Sequence, residues 1–190
     1  PGDNLYTNSA IAFDAANGKI MWWHQYTPND NMDYDEIGSH ILIDTKVAGE
    51  DRKLLAHPGR NGFSYVFDRI NGQFLKATQH VKVVNWTKGI DPKTGKPVDY
   101  DPNRDVQSYA MGPETLADKA LRQICPSQAG GTNFWASSYS RKTGHLYIPA
   151  HEGCGTLTVD TASHVKGNFA GGTTGVAGPI TGSVTMIDPS

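Results

Sequence analysis

Long apolar runs are what this 190-residue sequence most plainly lacks. Nowhere does it hold the about 20 consecutive apolar residues that a membrane-spanning helix needs, so no transmembrane segment is expected. Basic runs are missing too. Lysine and arginine never extend beyond a pair and the formal charge is −2, so neither nucleic acid nor an anionic membrane is indicated as a partner. The opening Pro1-Gly2-Asp3-Asn4 has neither the charged start nor the apolar centre of a secretory leader. Histidine occurs seven times without metal-ligand spacing, and His151-x-x-Cys154 is too little to argue zinc. Cysteine is scarce: Cys125 and Cys154 stand 29 positions apart, outside any Cys-x-x-Cys pair. Two readings stay open. A single bridge would remove about 3 to 4 kcal/mol of unfolded-state entropy and belong to an oxidising compartment; two reduced thiols would belong to a cytosolic protein. The 37% hydrophobic content is enough for a core.

Hairpin signals are abundant. Ala10 to Trp22 reads as strand, tight turn at Asn17-Gly18, strand, and Asn-Gly between apolar runs is a strong hairpin signature. The shape returns at Tyr65 to Leu75, where the offset from Asp14 to Asp68 equals that from Gly18 to Gly72. A third copy runs from Ser138 to Ile148, and a fourth begins at Gly182 and stops at Ser190 before its turn glycine, as though the chain were cut. Between copies lie short apolar or alternating stretches, Ser39 to Asp44, Lys53 to His57 and Gly62 to Phe67, that read as strands. A hairpin recurring about every 50 residues with strands between is the trace of an all-β propeller of four-stranded blades, whereas a sandwich does not repeat one hairpin motif. About three blades are present, incomplete at both ends, in one partial domain over residues 1–190.

A long insertion, roughly Val81 to Leu121, separates the second and third copies. It carries Asp91-Pro92-Lys93-Thr94-Gly95-Lys96-Pro97 and then Asp99 to Asp105, which imitates half a calcium loop. Arg104 replaces the sharp-turn glycine and Ala110 the bidentate glutamate, so that stretch reads as a solvated surface loop. Leu116 to Ile124 is expected as a short helix, and the Gly- and Thr-rich stretch from Gly167 to Gly182 as a loop or flap.

The chemistry sits early. Asp33 and Asp35 flank Tyr34, and His57-Pro58-Gly59-Arg60-Asn61-Gly62 follows at the start of a strand-like run. On an extended segment residues i and i+2 share a face, so the two carboxylates would crowd, which is costly unless a cation or a proton is shared. The plain alternative is that Asp30, Asp33 and Asp35 decorate a solvated loop.

With these residues in place, the chain resembles the pyrroloquinoline-quinone (PQQ)-dependent alcohol and methanol dehydrogenases. Ala12-x-Asp14-x-x-x-Gly18-Lys19-x-x-Trp22 is similar to that family's tryptophan-docking motif. Tyr26-Thr27-Pro28-Asn29-Asp30 leads into Asp33-Tyr34; Arg52 to Gly62 is characteristic; Cys125-Pro126 with Gly131-Thr132-Asn133 resembles the cofactor-contacting region. The resemblance implies an eight-bladed propeller, a periplasmic location, and oxidation of a small-molecule alcohol to an aldehyde or ketone by hydride transfer to metal-bound PQQ. It implies Asp33 as general base, Asp33 and Asp35 as metal ligands, Arg60 and Asn133 as cofactor contacts, and a Cys125–Cys154 disulfide. Aspartate at position 35 resembles the lanthanide-dependent type, with Ca2+ as the alternative ion, because a trivalent hard cation asks for more anionic oxygens. Glu36-Ile37-Gly38-Ser39 departs from the family pattern and leaves the substrate open. A c-type cytochrome is the implied electron acceptor. Further metal ligands and much of the quinone pocket would come from remaining segments of the same enzyme, so this segment alone is expected to be inactive. The rival function is a non-catalytic propeller scaffold, which would need the hairpins but not Asp33, Asp35 and Arg60 together.

Overall fold

The computed structural model describes residues 2–105, 107, 109, 122–159 and 172–190. Its order is β1 (Ser9–Phe13), β2 (Ile20–Gln25), β3 (Ile41–Val47), β4 (Glu50–Pro58), β5 (Phe63–Asp68), β6 (Gln73–Gln79), β7 (Arg122–Ile124), β8 (Ser138–Ser140), β9 (His145–Val159) and β10 (Gly172–Ile187). Among the described residues there is no helix, and so none long and apolar enough to cross a membrane.

Three antiparallel sheets follow one another. β1 pairs with β2; β3, β4, β5 and β6 form a four-stranded meander in sequence order; β10, β9 and β7 form a third sheet, with β8 also on β9. The middle sheet is apolar on both faces, because alternate residues of a strand point to opposite sides. Leu54, Ala56 and Val66 join Ile43, Leu146, Ile148 and Ile187 on one side. Leu55, Tyr65 and Phe67 join Ala10, Tyr26, Met32, Tyr34 and Trp86 on the other. All six residues of β5 are buried as a result. A sheet covered on both faces by neighbouring sheets is how consecutive propeller blades stack.

The expected hairpins fall on β1–β2, β5–β6 and β8–β9, and the expected strand stretches on β3, β4 and β5. Their turns share one mechanism. The amide of the turn glycine donates to the carbonyl four residues earlier, Gly18 to Asp14, Gly72 to Asp68 and Gly144 to Ser140, at 2.8 to 2.9 Å. The aspartate side chain then caps the amide two residues on, Asp14 to Ala16 and Asp68 to Ile70. Trp22 docks the first sheet on the second: its indole N–H donates to the Arg69 carbonyl at 3.1 Å, and a Cβ at Gly72 would lie 2.6 Å from its ring.

Two expectations are corrected, for residues 122–124 and for the Gly- and Thr-rich stretch, and the insertion adds buried contacts outside its Asp99 to Asp105 loop. Residues 122–124, read as the end of a helix, are strand β7, because their backbone pairs with Gly155 to Leu157; the rest of that stretch lies outside the described residues. The Gly- and Thr-rich stretch is strand β10 from Gly172 onward, since β9 pairs with it over 172–177 and 181–187, on either side of an irregularity at 178–180, and turn-prone residues yield to that ladder; residues 167–171 lie outside the described set. The insertion is not wholly superficial either. Trp86 is fully buried and donates to the Asn61 carbonyl at 2.7 Å. Asp91 to Gly95 repeats the hairpin turn, with Gly95 donating to the Asp91 carbonyl and packing on Phe74 and His24. Ala110, in the calcium-like stretch, lies outside the described residues, and Asp101 caps Asn103 within that loop.

The site is positioned by a gap in the third sheet. β8 covers β9 at residues 145–147 and β7 covers it at 155–157. Segment 125–132 fills the space between them: Ser127 N–H donates to the Gly153 carbonyl, His151 N–H to the Gly131 carbonyl, and the Thr132 hydroxyl to the Pro149 carbonyl. The Cys125–Cys154 disulfide, with Cα atoms 4.4 Å apart, closes the same seam.

Candidate active site

Asp30, expected at most to decorate a loop, organises the acidic stretch. Its carboxylate accepts from the Met32 amide at 2.8 Å, the Tyr34 amide at 2.7 Å and the Asn8 side chain at 2.9 Å, while burial pushes its carboxyl up to about 6. This wraps the backbone tightly enough that Asp33 takes a left-handed conformation, φ 65°. Such a backbone is mildly strained for a residue with a Cβ and recurs at functional sites. The segment is thus a turn rather than an extended run, yet exposure still alternates: Asp33 and Asp35 are exposed on either side of Tyr34, which is fully buried. The Tyr34 hydroxyl donates to the Pro126 carbonyl at 2.6 Å, and burial holds its proton well above the ordinary phenol value. The ring between the two acids pins the loop to segment 125–132.

Arg60 lies in the turn between β4 and β5, not on a strand, and is 9% exposed. Its Nη1 donates to the Asp35 carbonyl at 3.2 Å and its Nη2 to the Gln128 carbonyl at 2.5 Å, while Nε is buried without a partner. Among the described residues the guanidinium forms no ion pair with a carboxylate, so neutral carbonyls steady it and its charge stays available. Gln128 also sends its side-chain amide to the Asp33 carboxylate. A Cβ at Gly130 would meet Arg60 Cβ at 2.8 Å, which shows how closely the 128–131 backbone passes the arginine stem. The loop bearing Asp33 and Asp35 and the turn bearing Arg60 are therefore joined, with Gln128 of segment 125–132 bridging them. Asn133 adjoins them in sequence to segment 125–132, but its amide donates to Ala129 O at 2.7 Å and its oxygen accepts from the Phe134 amide at 2.9 Å, so it closes its own loop.

Two members of this cluster escaped the sequence reading. Glu36 is buried, with Oε2 accepting from Arg60 N and from His57 Nε2, each at 2.9 Å. Gln128 bridges Arg60 and Asp33. Neither has a local signature, since their partners lie far off in sequence. The one clue was the Glu at position 36 where the resembled pattern has another residue.

The donor set suits a hard cation beside a redox-active anion only in part. Two exposed carboxylates supply anionic oxygens and an unneutralised guanidinium with an orphaned N–H faces the same cluster. No group of three or more His, Cys, Asp or Glu able to hold an ion forms among the described residues. The rest of a coordination shell would come from outside them.

The PQQ-binding β-propeller domain described as glucose/ethanol/alcohol dehydrogenase matches residues 1–97. The dehydrogenase subunit of alcohol dehydrogenase (quinone) from Komagataeibacter europaeus is 37% identical over 151 residues, 80% of this chain and 19% of that protein. Among solved structures, a europium-containing methanol dehydrogenase superposes with TM-score 0.75 at 31% identity, covering 97% of this chain and 28% of its own. The quinohemoprotein alcohol dehydrogenase from Comamonas testosteroni gives TM-score 0.79 at 31% identity, over 98% and 28%. The chain thus spans about a fifth to a quarter of the length of these relatives. With a two-stranded sheet docked by Trp22 on a four-stranded one, two acids around a buried tyrosine, and a family match over more than half its length, this chain belongs to the PQQ-dependent dehydrogenase β-propeller family.

Proposed function

We propose that this chain supplies the base-and-guanidinium side of a PQQ-dependent alcohol dehydrogenase site, in an enzyme that oxidises an alcohol to an aldehyde or ketone. One observation carries the reading: a buried arginine whose guanidinium bonds to carbonyls alone, in one hydrogen-bonded cluster with two exposed aspartates. A scaffold has no use for that arrangement, because an unneutralised buried guanidinium is costly unless an anionic ligand completes it.

Asp33 is the general base. Its carboxylate stands on a strained turn, oriented by the Gln128 amide, and accepts the hydroxyl proton of the alcohol when the substrate oxygen lies about 3 Å away. Asp33 and Asp35 are the chain's contribution to the metal site. Two acids here favour a lanthanide over Ca2+, since the higher charge repays more anionic oxygens. Arg60 would hold the anionic cofactor by its guanidinium, and Asn133, fixed in its own loop by Ala129 and Phe134, would be a further contact. Bound PQQ supplies the acceptor for the carbinol hydrogen with its electron pair, and the ion supplies Lewis acidity. A c-type cytochrome takes the electrons, and the disulfide fits a periplasmic home. The isolated segment is inactive, because the remaining ligands lie in further segments of the same enzyme.

The test is dye-linked alcohol oxidation by the full-length protein reconstituted with quinone and either a lanthanide or Ca2+. Asp35→Ala is expected to lower lanthanide-supported turnover by about tenfold or more, in line with losses of metal-site groups. Undiminished lanthanide-supported turnover in that variant removes the metal assignment, and no activity with either ion favours the scaffold.

A further inference from the structure

We infer that Glu36 is the positioning residue for Arg60, acting through the Arg60 backbone and anchored by His57; this rests on the dehydrogenase reading above. A carboxylate withdrawn from water is expensive to keep, and stability alone does not favour one over an apolar side chain. Glu36 is withdrawn almost completely, its side chain only 2% exposed and Oε1 without a partner. What it gains is reach. From the loop bearing Asp33 and Asp35 it crosses to the turn after β4, where one oxygen takes both the Arg60 amide and the His57 imidazole.

His57 is itself immobile. It is fully buried, stacked on His40 at 4.3 Å and on Tyr26 at 4.5 Å, while the Tyr26 hydroxyl and His40 Nε2 share a hydrogen bond at 3.0 Å. The Glu36 carboxylate is thus set against a rigid aromatic stack, and the turn backbone closes around it: a Cβ at Gly59 would lie 2.9 Å from Oε1.

Two hydrogen-bonded rings result. In the first, Glu36 holds Arg60 by its amide and Arg60 Nη1 returns to the Asp35 carbonyl, which fixes the spacing between the acidic loop and the guanidinium. In the second, Arg60 Nη2 meets the Gln128 carbonyl and the Gln128 side chain meets Asp33. The first ring fixes the arginine by its amide, and the Gly131 amide, donating to the Arg60 carbonyl at 2.7 Å, is the other backbone anchor. Without Glu36 one of these two anchors is lost, and the arginine that would meet the quinone is held less firmly.

The experiment uses the full-length protein prepared without cofactor, and reads PQQ affinity by quenching of tryptophan fluorescence together with steady-state alcohol oxidation. Glu36→Ala is expected to weaken PQQ binding by about tenfold and to lower kcat while alcohol KM stays within about twofold, the size of loss typical for groups that orient a ligand-binding residue. Glu36→Gln, which keeps an acceptor oxygen, is expected to bind PQQ within about threefold of wild type. In an Arg60→Ala background Glu36→Ala is expected to cost nothing further, because it acts through Arg60. Should the alanine variant not fold, Glu36→Met keeps the volume, removes the acceptor and carries the same expectations. Wild-type PQQ affinity in Glu36→Ala or Glu36→Met, or costs that simply add in the Arg60→Ala background, overturns the inference while the dehydrogenase reading stands. A wild-type protein that captures no PQQ overturns both.

Discussion

At the scale of single residues, burial decides which titratable groups matter. His24 lies among Tyr26, Tyr65, Phe67 and Phe74 with Nε2 unpartnered, and desolvation lowers it from 6.5 to about 4. His80 is lowered to about 3, again mainly by burial. Between pH 6.5 and 4 the unfolded chain binds protons that the folded chain refuses. The histidines' contribution is therefore full above pH 6.5 and falls as the solution is acidified through that window, by about 2 kcal/mol per such histidine between pH 7 and pH 5, while Asp30, raised to about 6, works in the opposite sense. His24→Phe fits the same aromatic surround and is expected to reduce the loss between those two pH values by about 2 kcal/mol in urea unfolding; an unchanged loss would show that another group titrates. The legible and the hidden divide along the same line. Asp33, Asp35 and Arg60 stand out in sequence because acids one residue apart and an arginine beside them serve neither turn nor core. Glu36 and Gln128 do not, because each owes its role to partners in another segment, His57 and Arg60 for one, Asp33 and Arg60 for the other.

At the scale of elements, the same turn carries different loads according to what covers it. Gly72 and Gly144 occupy equivalent places at φ 76° and 73°, but a Cβ on Gly72 would strike the Trp22 ring at 2.6 Å while one on Gly144 would meet nothing within 4 Å. Gly144→Ala is thus expected to cost only the left-handed backbone penalty, about 1 kcal/mol. Gly72→Ala adds displacement of Trp22 and loss of its bond to Arg69, for about 2 to 4 kcal/mol in all. Equal losses in denaturant would mean that Trp22 does not dock the first two sheets. The hairpins were readable because turn chemistry is local, four residues and one aspartate. β7 and the first half of β10 were not, because glycine-rich or short segments become strands here only where β9 presents an unpaired edge, whereas the second half of β10 falls on the fourth hairpin copy. The turn at Asp91 to Gly95 has the aspartate and the glycine, yet the strands that should flank it are reduced to a single bridge between Ile90 and Pro97, which is why it reads as insertion.

At the scale of the whole molecule, the middle sheet is satisfied on both faces and the outer ones are not. Met21 on the first sheet and Val176 and Val184 on the third are 63%, 65% and 71% exposed, and β10 lies at the edge of its sheet. Uncovered apolar side chains beside an open strand edge favour association between copies. The isolated 190-residue segment is accordingly expected to sediment as species larger than a monomer, growing with concentration, whereas the full-length enzyme does not; a segment that stays monomeric at high concentration would show these faces to be tolerated in water. The propeller could be read from the recurring hairpin, but the seam at segment 125–132 could not, since it depends on β7 and β8 leaving the centre of β9 open. That seam has a practical bearing. The acidic loop, the turn after β4 and the backbone near Gln128 come together only once two neighbouring sheets have both formed and the disulfide seam has closed. If the cluster holds quinone as proposed above, immobilised quinone would act as a sorting resin in purification of the full-length protein, retaining finished molecules and letting half-assembled ones pass in the flow-through.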